Sequence, residues 1–411
     1  AGAAIMGLVS AQSLLDGLVD DLVATGTIKT PAVEAAMRAM PRHVFVPMAT
    51  IEEVYRDEAI ATKMLDGRAV SSASQPSVVA QMLEQLDVRP GEHVLEIGAG
   101  TGYNAALLGH LVERDGNVVT VDIDEDIVEG ARRHLAAVGA TNVEVVHGDG
   151  GLGHGPGAPY ERIVLTVGAS DVTPAWWDQL RPGGRLLLPL SLRGVQRCVA
   201  FDEAGGFMHS ASVRNCGFMR LRGGFRGSET VTHVGPVTLT FPGAVDASAI
   251  EHVLASPAGR CELELEVKRR ECVGGLALWL ALEDEEMCSV DTVWPRDEAS
   301  PFPVLASFAS GERFFGWSAA RFDGAGLAAL SFEAGRLAVE CFGEDRDNST
   351  RLAETVQRWD AAGRPDASSV RIHAHRSHRG EPGAQGFAVV RNRWTTFEVE
   401  WPSRQPAESR G

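Results

Sequence analysis

The chain has 411 residues, 44% of them hydrophobic, with 55 acidic against 38 basic side chains and a formal charge of −17. Such a length predicts two domains and an ample core, while the negative field argues against nucleic acid or an anionic membrane as partner. No run approaches the roughly 20 continuous apolar residues of a spanning helix. The opening "AGAAIMGLVSAQSLL" has neither the basic region nor the long apolar core of an export signal, so a cytoplasmic chain is expected.

From Ser10 to Met40 apolar residues recur at intervals of three and four, and Thr30-Pro31 opens the second of two helices. A further helix is expected over Pro76 to Leu86. Between about Val94 and Leu190, five short runs read as strands: "HVLEI", "NVVTVDI", "NVEVVHG", "RIVLTVG" and "GRLLLPL". Helices starting near Tyr103, Glu125 and Thr173 separate them, and strand-helix-strand at this spacing predicts an α/β, doubly wound, Rossmann-like parallel sheet. The Trp176-Trp177 pair is expected to cover the sheet edge. After about Gly224 alternation takes over in "CELELEVKRR", "LALWLALEDEE" and "TTFEVEW". Residues 225–411 are therefore expected to form a β-rich (α+β) domain with one helix near Thr350 to Asp360, following a first domain over 1–224. The six cysteines, Cys198, Cys216, Cys261, Cys272, Cys288 and Cys341, form no C-x-x-C and read as reduced, buried thiols.

The first strand runs into Gly98, Gly100 and Gly102, a G-x-G-x-G turn. A dinucleotide fingerprint needs its third glycine at position 103, which is Tyr103. An acid, Glu96, precedes the turn; it is unwelcome beside a pyrophosphate and tolerable beside a cation. S-adenosylmethionine, a sulfonium cation, suits that sign. Asp122 ends the second strand, placed to accept from both ribose hydroxyls, with Asp124 expected to cap the following helix. In "HGDG", Asp149 is placed to accept from an adenine amino group, and the backbone of Gly150 to read a ring nitrogen. Glu96, Gly98, Gly100, Thr101, Gly102, Asp122, Asp149 and Gly150 are thus the predicted donor residues. The glycine-rich "GDGGLGHGPGAP" is followed by no Lys-Ser/Thr and is not a P-loop. The "RIHAHRSH" run, with His373, His375 and His378, reads as a solvated strand face rather than a metal site, and no metal is expected. His43 reads as a local hydrogen-bonding partner.

"PRHVFVP", "YRDEAI", "SQP", "EIGAGTGY", "GDG", "APYERI" and "LRPGGRLLLPL" occur in this order. Together they resemble the protein-L-isoaspartate O-methyltransferase family over roughly Ser10 to Arg222, which implies a class I methyltransferase fold and S-adenosyl-L-methionine as donor. The second half looks like the C-terminal extension of longer actinobacterial homologues, outside the classical repair enzymes. Those homologues are often encoded beside ribosomally made peptide natural products and methylate an aspartate of the modified peptide.

Methylating a carboxylate is an in-line displacement by a group already ionised at pH 7, its ordinary pKa being about 4. Orientation and partial desolvation are then the enzyme's work. On spacing alone Ser74 reads as a cap for the helix beginning at Pro76 as readily as an acceptor-orienting hydroxyl. The resemblance maps the second role onto Ser74. Where classical members carry T-I-S before the proline, after a loop with glycine and histidine, this chain reads "DGRAVSSASQP". With the extra domain, that departure favours an Asp or isoAsp carboxylate of a dedicated peptide, esterified and led on to a succinimide or isoaspartate, over general isoaspartate repair. A rival of another class is a module that binds donor or peptide without turnover.

Overall fold

The computed structural model describes residues 10–65, 68–310, 312–344, 347–377 and 388–401. Helices α1 (Ala11–Ala24) and α2 (Pro31–Ala39) are capped by the side chains of Ser10 and Thr30, which accept from Ser13 and Val33 N–H groups. Their buried faces, Leu15, Leu18, Val19 and Leu22 with Val33, Ala36 and Met37, join one core with the helix α4 (Pro76–Leu86). Between them lie the short α3 (Ile51–Val54) and a hairpin of β1 (Ile60–Leu65) and β2 (Arg68–Ala73). Asp66 and Gly67 of the serine-rich stretch fall outside the described residues.

The five expected strands are present as β3 (His93–Ile97), β4 (Asn117–Asp122), β5 (Val143–His147), β6 (Tyr160–Leu165) and β7 (Leu180–Leu192), separated by α5 (Tyr103–Val112), α6 (Glu125–Ala137) and α7 (Pro174–Gln179). They pair in parallel in the order β7-β6-β3-β4-β5. Both faces are covered, so β4 is buried from Val118 onward and its text carries no polar alternation. From β3 the chain winds outward through β4 and β5, then crosses to β6 on the other side. The crevice at that reversal, beyond the C-terminal strand ends, is where open α/β sheets bind ligands.

The sheet does not stop at β7. Antiparallel strands β8 (Val195–Ala204) and β9 (Phe207–Asn215) extend it. The chain then builds a second, eight-stranded antiparallel sheet from β10 (Thr230–Val234), β11 (Val237–Phe241), β12 (Pro257–Glu266), β13 (Met287–Pro295), β14 (Ala306–Ser310), β15 (Arg313–Phe322), β16 (Gly326–Glu333) and β17 (Arg336–Gly343). Residues 371–400, expected in a separate second domain, return to the first sheet. β18 (Arg371–Arg376) pairs with β9, and β20 (Thr395–Glu400) and β19 (Ala388–Arg391) complete a ten-stranded sheet.

"LALWLALEDEE", expected as a strand, is helical: a π-turn over Cys272–Leu276 runs into α10 (Ala277–Glu283). The reason is burial on all sides. Ala277, Leu278, Ala281 and Leu282 pack into the core of the first sheet, while Leu276, Trp279 and Leu280 pack into that of the second. A helix wedged between two cores is apolar all round and loses the period that would reveal it. The second core also takes α11 (Asn348–Ala361), through Leu352, Val356 and Trp359. Smaller helices α8 (Ile250–Leu254) and α9 (Arg269–Glu271) complete this half.

Several side chains differ from expectation. Trp176 and Trp177 are buried, and the Trp177 indole donates to Thr395 Oγ1 at 3.0 Å, tying α7 to the returning strand β20. Cys261 is exposed and Cys216 half-buried; Cys261 lies on β12, an edge strand of the second sheet. His375 is buried rather than solvated, with Nε2 3.6 Å from Glu398, whereas His373 Nδ1 sits 2.7 Å from His209 Nδ1. His378 lies outside the described residues. No described helix is long and apolar enough to cross a membrane.

Phe397 on β20 is fully buried against Phe201 on β8, ring centroids 6.3 Å apart. Phe397→Ala is expected to lower unfolding free energy by about 3–5 kcal/mol, read from the denaturant midpoint. A loss below about 1 kcal/mol would mean that the returning strands are not integral to the first core.

Candidate active site

A cavity of about 620 Å³ opens at the C-terminal ends of β3, β4 and β6. Gly98 to Thr101, Asp122, Ile123, Gly150 and Thr166 line it together with Asp57, Ser72, Ser74, Met219, Arg220 and Phe308. The volume lies in the ordinary range for small-molecule sites.

Gly98, Gly100 and Gly102 all have positive φ (100°, 50° and 86°), a backbone region that disfavours other residues. The three serve different contacts. A Cβ on Gly98 would strike Thr166 Oγ1 at 2.5 Å, and one on Gly102 would press on Ala131 of α6. A Cβ on Gly100 would meet only Ser72 O, at 3.8 Å, and would project into the cavity. Gly100 is therefore the point where a ligand's approach to the backbone requires the missing side chain. Gly102 is the N-cap of α5, which starts at the rim.

Asp122 fixes this loop from the next strand. Its Oδ2 accepts from Gly100 N–H at 3.1 Å and its Oδ1 from Asp124 N–H at 3.2 Å. Burial raises its pKa, against the lowering effect of these two bonds. Each oxygen keeps a second lone pair for a ligand hydroxyl. Asp124 occupies the N-cap position of α6 but does not cap with its side chain. Its carboxylate is drawn off by Arg222 (3.1 and 2.8 Å) and Lys63 (2.9 Å).

Three predicted donor residues are placed otherwise, the first being Gly102, which is absent from the cavity wall and faces Ala131 of α6. Glu96 is fully buried and absent from the cavity wall: it accepts from Asn104 Nδ2 at 2.7 Å and Thr120 Oγ1 at 2.6 Å. The side chain alternates away from the strand end, so Glu96 braces the glycine loop through α5 and β4 instead of facing a ligand. Burial pushes its carboxyl up to about 7. Asp149 is likewise turned from the cavity, accepting from Gly151 N–H at 2.9 Å and Gly224 N–H at 2.8 Å. Gly150 does line the wall, its carbonyl held by the Trp176 indole at 2.9 Å.

Ser74 borders the cavity and is not a cap. Gln75 holds the N-cap position of α4, and the remote Asp57 serves that helix, accepting from Ser77 N–H at 2.8 Å and Gln75 Nε2 at 3.0 Å. Among the described residues nothing hydrogen-bonds Ser74 Oγ. Its carbonyl is fixed by Arg42, at 2.9 Å. The Arg42 guanidinium also donates to the carbonyls of Val54, Arg56, Glu58 and Ala73 at 2.6 to 3.4 Å. Arg42 and Asp57 escaped the sequence reading, although both lie in quoted motifs; a charged residue inside the apolar "PRHVFVP" was the available signal. Neighbouring His43 makes a local contact, Nδ1 to Tyr55 OH at 2.7 Å.

The family described as Protein-L-isoaspartate(D-aspartate) O-methyltransferase (PCMT) matches residues 14–225. The chain belongs to this family. It is 39% identical over 217 residues to the Protein-L-isoaspartate O-methyltransferase of Methanopyrus kandleri, covering 52% of this chain and 94% of that protein. The enzyme of the same description from Methanoculleus marisnigri is 40% identical over 193 residues, 47% of this chain and 84% of that one. A solved protein-L-isoaspartate O-methyltransferase shares the fold with a TM-score of 0.50 at 21% identity, over 87% of this chain and 95% of that one. The protein is an S-adenosylmethionine-dependent carboxyl O-methyltransferase. The glycine cradle at Gly100 and the paired acceptor oxygens of Asp122 fit that donor.

Asp122→Ala is expected to weaken S-adenosylhomocysteine binding by about 10- to 100-fold in calorimetry, the loss of hydrogen bonds to a charged acceptor. Unchanged affinity would remove Asp122 from the donor site. For Glu96 the folded pKa lies above its ordinary value, so its contribution to stability is complete at acid pH and is lost as pH rises through about 7. Glu96→Gln should abolish that decline between pH 5 and 8, measured by denaturant midpoints. An equal decline in both proteins would refute the assignment.

Proposed function

We propose that this methyltransferase esterifies an aspartate-type carboxylate of a conformationally constrained, ribosomally made peptide, and that the ester closes to a succinimide. The observation that carries the reading is the acceptor wall. Ser74 borders the cavity and no described residue hydrogen-bonds its hydroxyl, its carbonyl being held by Arg42 and the start of α4 served by Asp57, within a serine-rich stretch unlike the classical acceptor loop.

The donor, when bound, supplies a methyl carbon on a positively charged sulfur. Gly98, Gly100, Thr101, Asp122 and Gly150 hold it, with Glu96, Gly102 and Asp149 shaping the loops behind them. Ser74 O–H donates to one oxygen of the acceptor and aims the other at the methyl carbon. The new O–C bond forms as the C–S bond breaks, its electron pair going to sulfur. One negative and one positive charge vanish together, and no proton moves. No general base is called for, since the carboxylate is already ionised at neutral pH. In the ester, attack by the next backbone nitrogen on the side-chain carbonyl expels methanol and leaves the imide ring. We place this work in the cytoplasm.

General repair of isoaspartyl proteins is the second reading, favoured by the identity to the archaeal enzymes. A panel of isoAsp, linear Asp and cyclised Asp peptides, incubated with donor and read by mass, separates the two. Preferential methylation of constrained Asp peptides is expected; equal methylation of every isoAsp peptide would establish repair. Ser74→Ala should lower kcat by about tenfold, one hydrogen bond to a charged group, with donor affinity unchanged. An unaltered kcat would show that the hydroxyl does not orient the acceptor.

A further inference from the structure

Among the residues that line the cavity, one is contributed by the second sheet. Phe308, on β14, lines the cavity with Ser72 and Ser74 while remaining 66% exposed. Exposed apolar side chains also stand elsewhere on the chain, Met48 and Leu152 among them, but Phe308 combines exposure with a place in the cavity wall, where a ligand that covers it removes apolar area from water. The ring is held in place. It stacks on Phe315, its cross-strand partner on β15, with centroids 5.4 Å apart and planes 12° from parallel. The strand's lead-in is anchored as well, Leu305 being buried and donating its N–H to Trp317 O at 2.8 Å.

We propose that Phe308 is a specificity-determining residue, a fixed aromatic face that takes the apolar or aromatic side chain next to the methylated acid. The proposal rests on the carboxyl methyltransferase reading of the cavity. An aromatic face carries negative charge density and repels a carboxylate, so the acid itself goes to the Ser74 hydroxyl and its neighbour in the peptide to Phe308. An apolar neighbour gains by covering the ring. A lysine or arginine would gain little at so exposed a ring, where a cation is well hydrated. The acceptor is therefore a peptide in which the acid adjoins a bulky apolar residue, and the second sheet reads that neighbour.

The test uses the full chain and two peptide series, with Asp or isoAsp flanked by Leu or Phe, by Ala, or by Lys. Wild type is expected to prefer Leu- or Phe-flanked acids by about tenfold in kcat/KM, mainly through KM, the size of a good aromatic contact. Phe308→Ala should erase the preference, read as the ratio of kcat/KM for Leu- or Phe-flanked to Ala-flanked peptides, while S-adenosylhomocysteine affinity and the unfolding midpoint stay within twofold. Preference retained in Phe308→Ala, or highest for Lys-flanked peptides, overturns the proposal and leaves the methyltransferase reading intact. If wild type methylates no peptide in either series, the esterification reading fails. Phe308→Trp then decides separately: a saturable fluorescence change with apolar-flanked peptides alone supports docking, and no change with any peptide overturns it.

Discussion

Arg42 carries a full positive charge out of water and spends its two terminal nitrogens on five backbone carbonyls: Val54, Arg56, Glu58, Ala73 and Ser74. Burial lowers its pKa, yet a guanidinium stays charged under any ordinary condition. Carbonyl dipoles are therefore gathered around it, and three separate stretches, the end of α3, the approach to β1 and the exit of β2, are drawn to one point. That convergence sets where Ser74 stands. The same exit brings Ser72 O within 3.8 Å of the place a side chain on Gly100 would fill. The stretch that carries Ser74 and the glycine loop are thus positioned against each other by a cation that is absent from the cavity wall.

The donor side is organised by the order of the strands. Because the chain reverses its winding between β5 and β6, the ends of β3, β4 and β6 leave a crevice that helices do not fill. Asp122 bridges two of these ends by accepting from Gly100, so the loop is shaped before any ligand arrives. Glu96 works from beneath through Thr120 and Asn104. A preformed cradle spares the ordering cost that a floppy loop would impose on binding.

Much of this half was legible because its signals are local. The apolar strand runs, the glycine turn and the acid ending β4 each lie within a few residues of one another, and β3 to β7 stand where the text placed them. Other features depend on contacts that composition does not encode. Arg42 bonds to carbonyls, which every residue has, so no partner could be read from the text. Asp57 caps α4 from 20 residues upstream of Ser77, displacing the nearer serine. Glu96 and Asp149 have the residue type of donor ligands, but strand alternation and the linker at Gly224 turn them inward. "LALWLAL" concealed a helix because both sides of it are buried. Strands β18 to β20 resemble any other β text, and only long-range pairing assigns them to the first sheet.

The cations of the cavity wall bear on why a neutral hydroxyl suffices there. Arg222 is held by Asp124, and Arg220 by Glu229 at 2.5 Å. Glu229 in turn takes a hydrogen bond from Ser191 at 2.5 Å, which keeps that acid in place. A guanidinium free to pair with the acceptor would bind it tightly and withdraw electron density from the attacking oxygen. Ground-state binding gained in this way does nothing for the barrier. With both arginines paired to acids of the chain, the proposed role of Ser74 follows: a neutral hydroxyl directs one oxygen of the acceptor and leaves the other its full charge. Transfer then cancels two opposite charges, a change that low polarity favours. Beside Ser74 the wall offers further neutral groups, Ser71, Ser72 and Gln75, while its cations Arg220 and Arg222 are paired with acids of the chain, an environment that suits such a reaction.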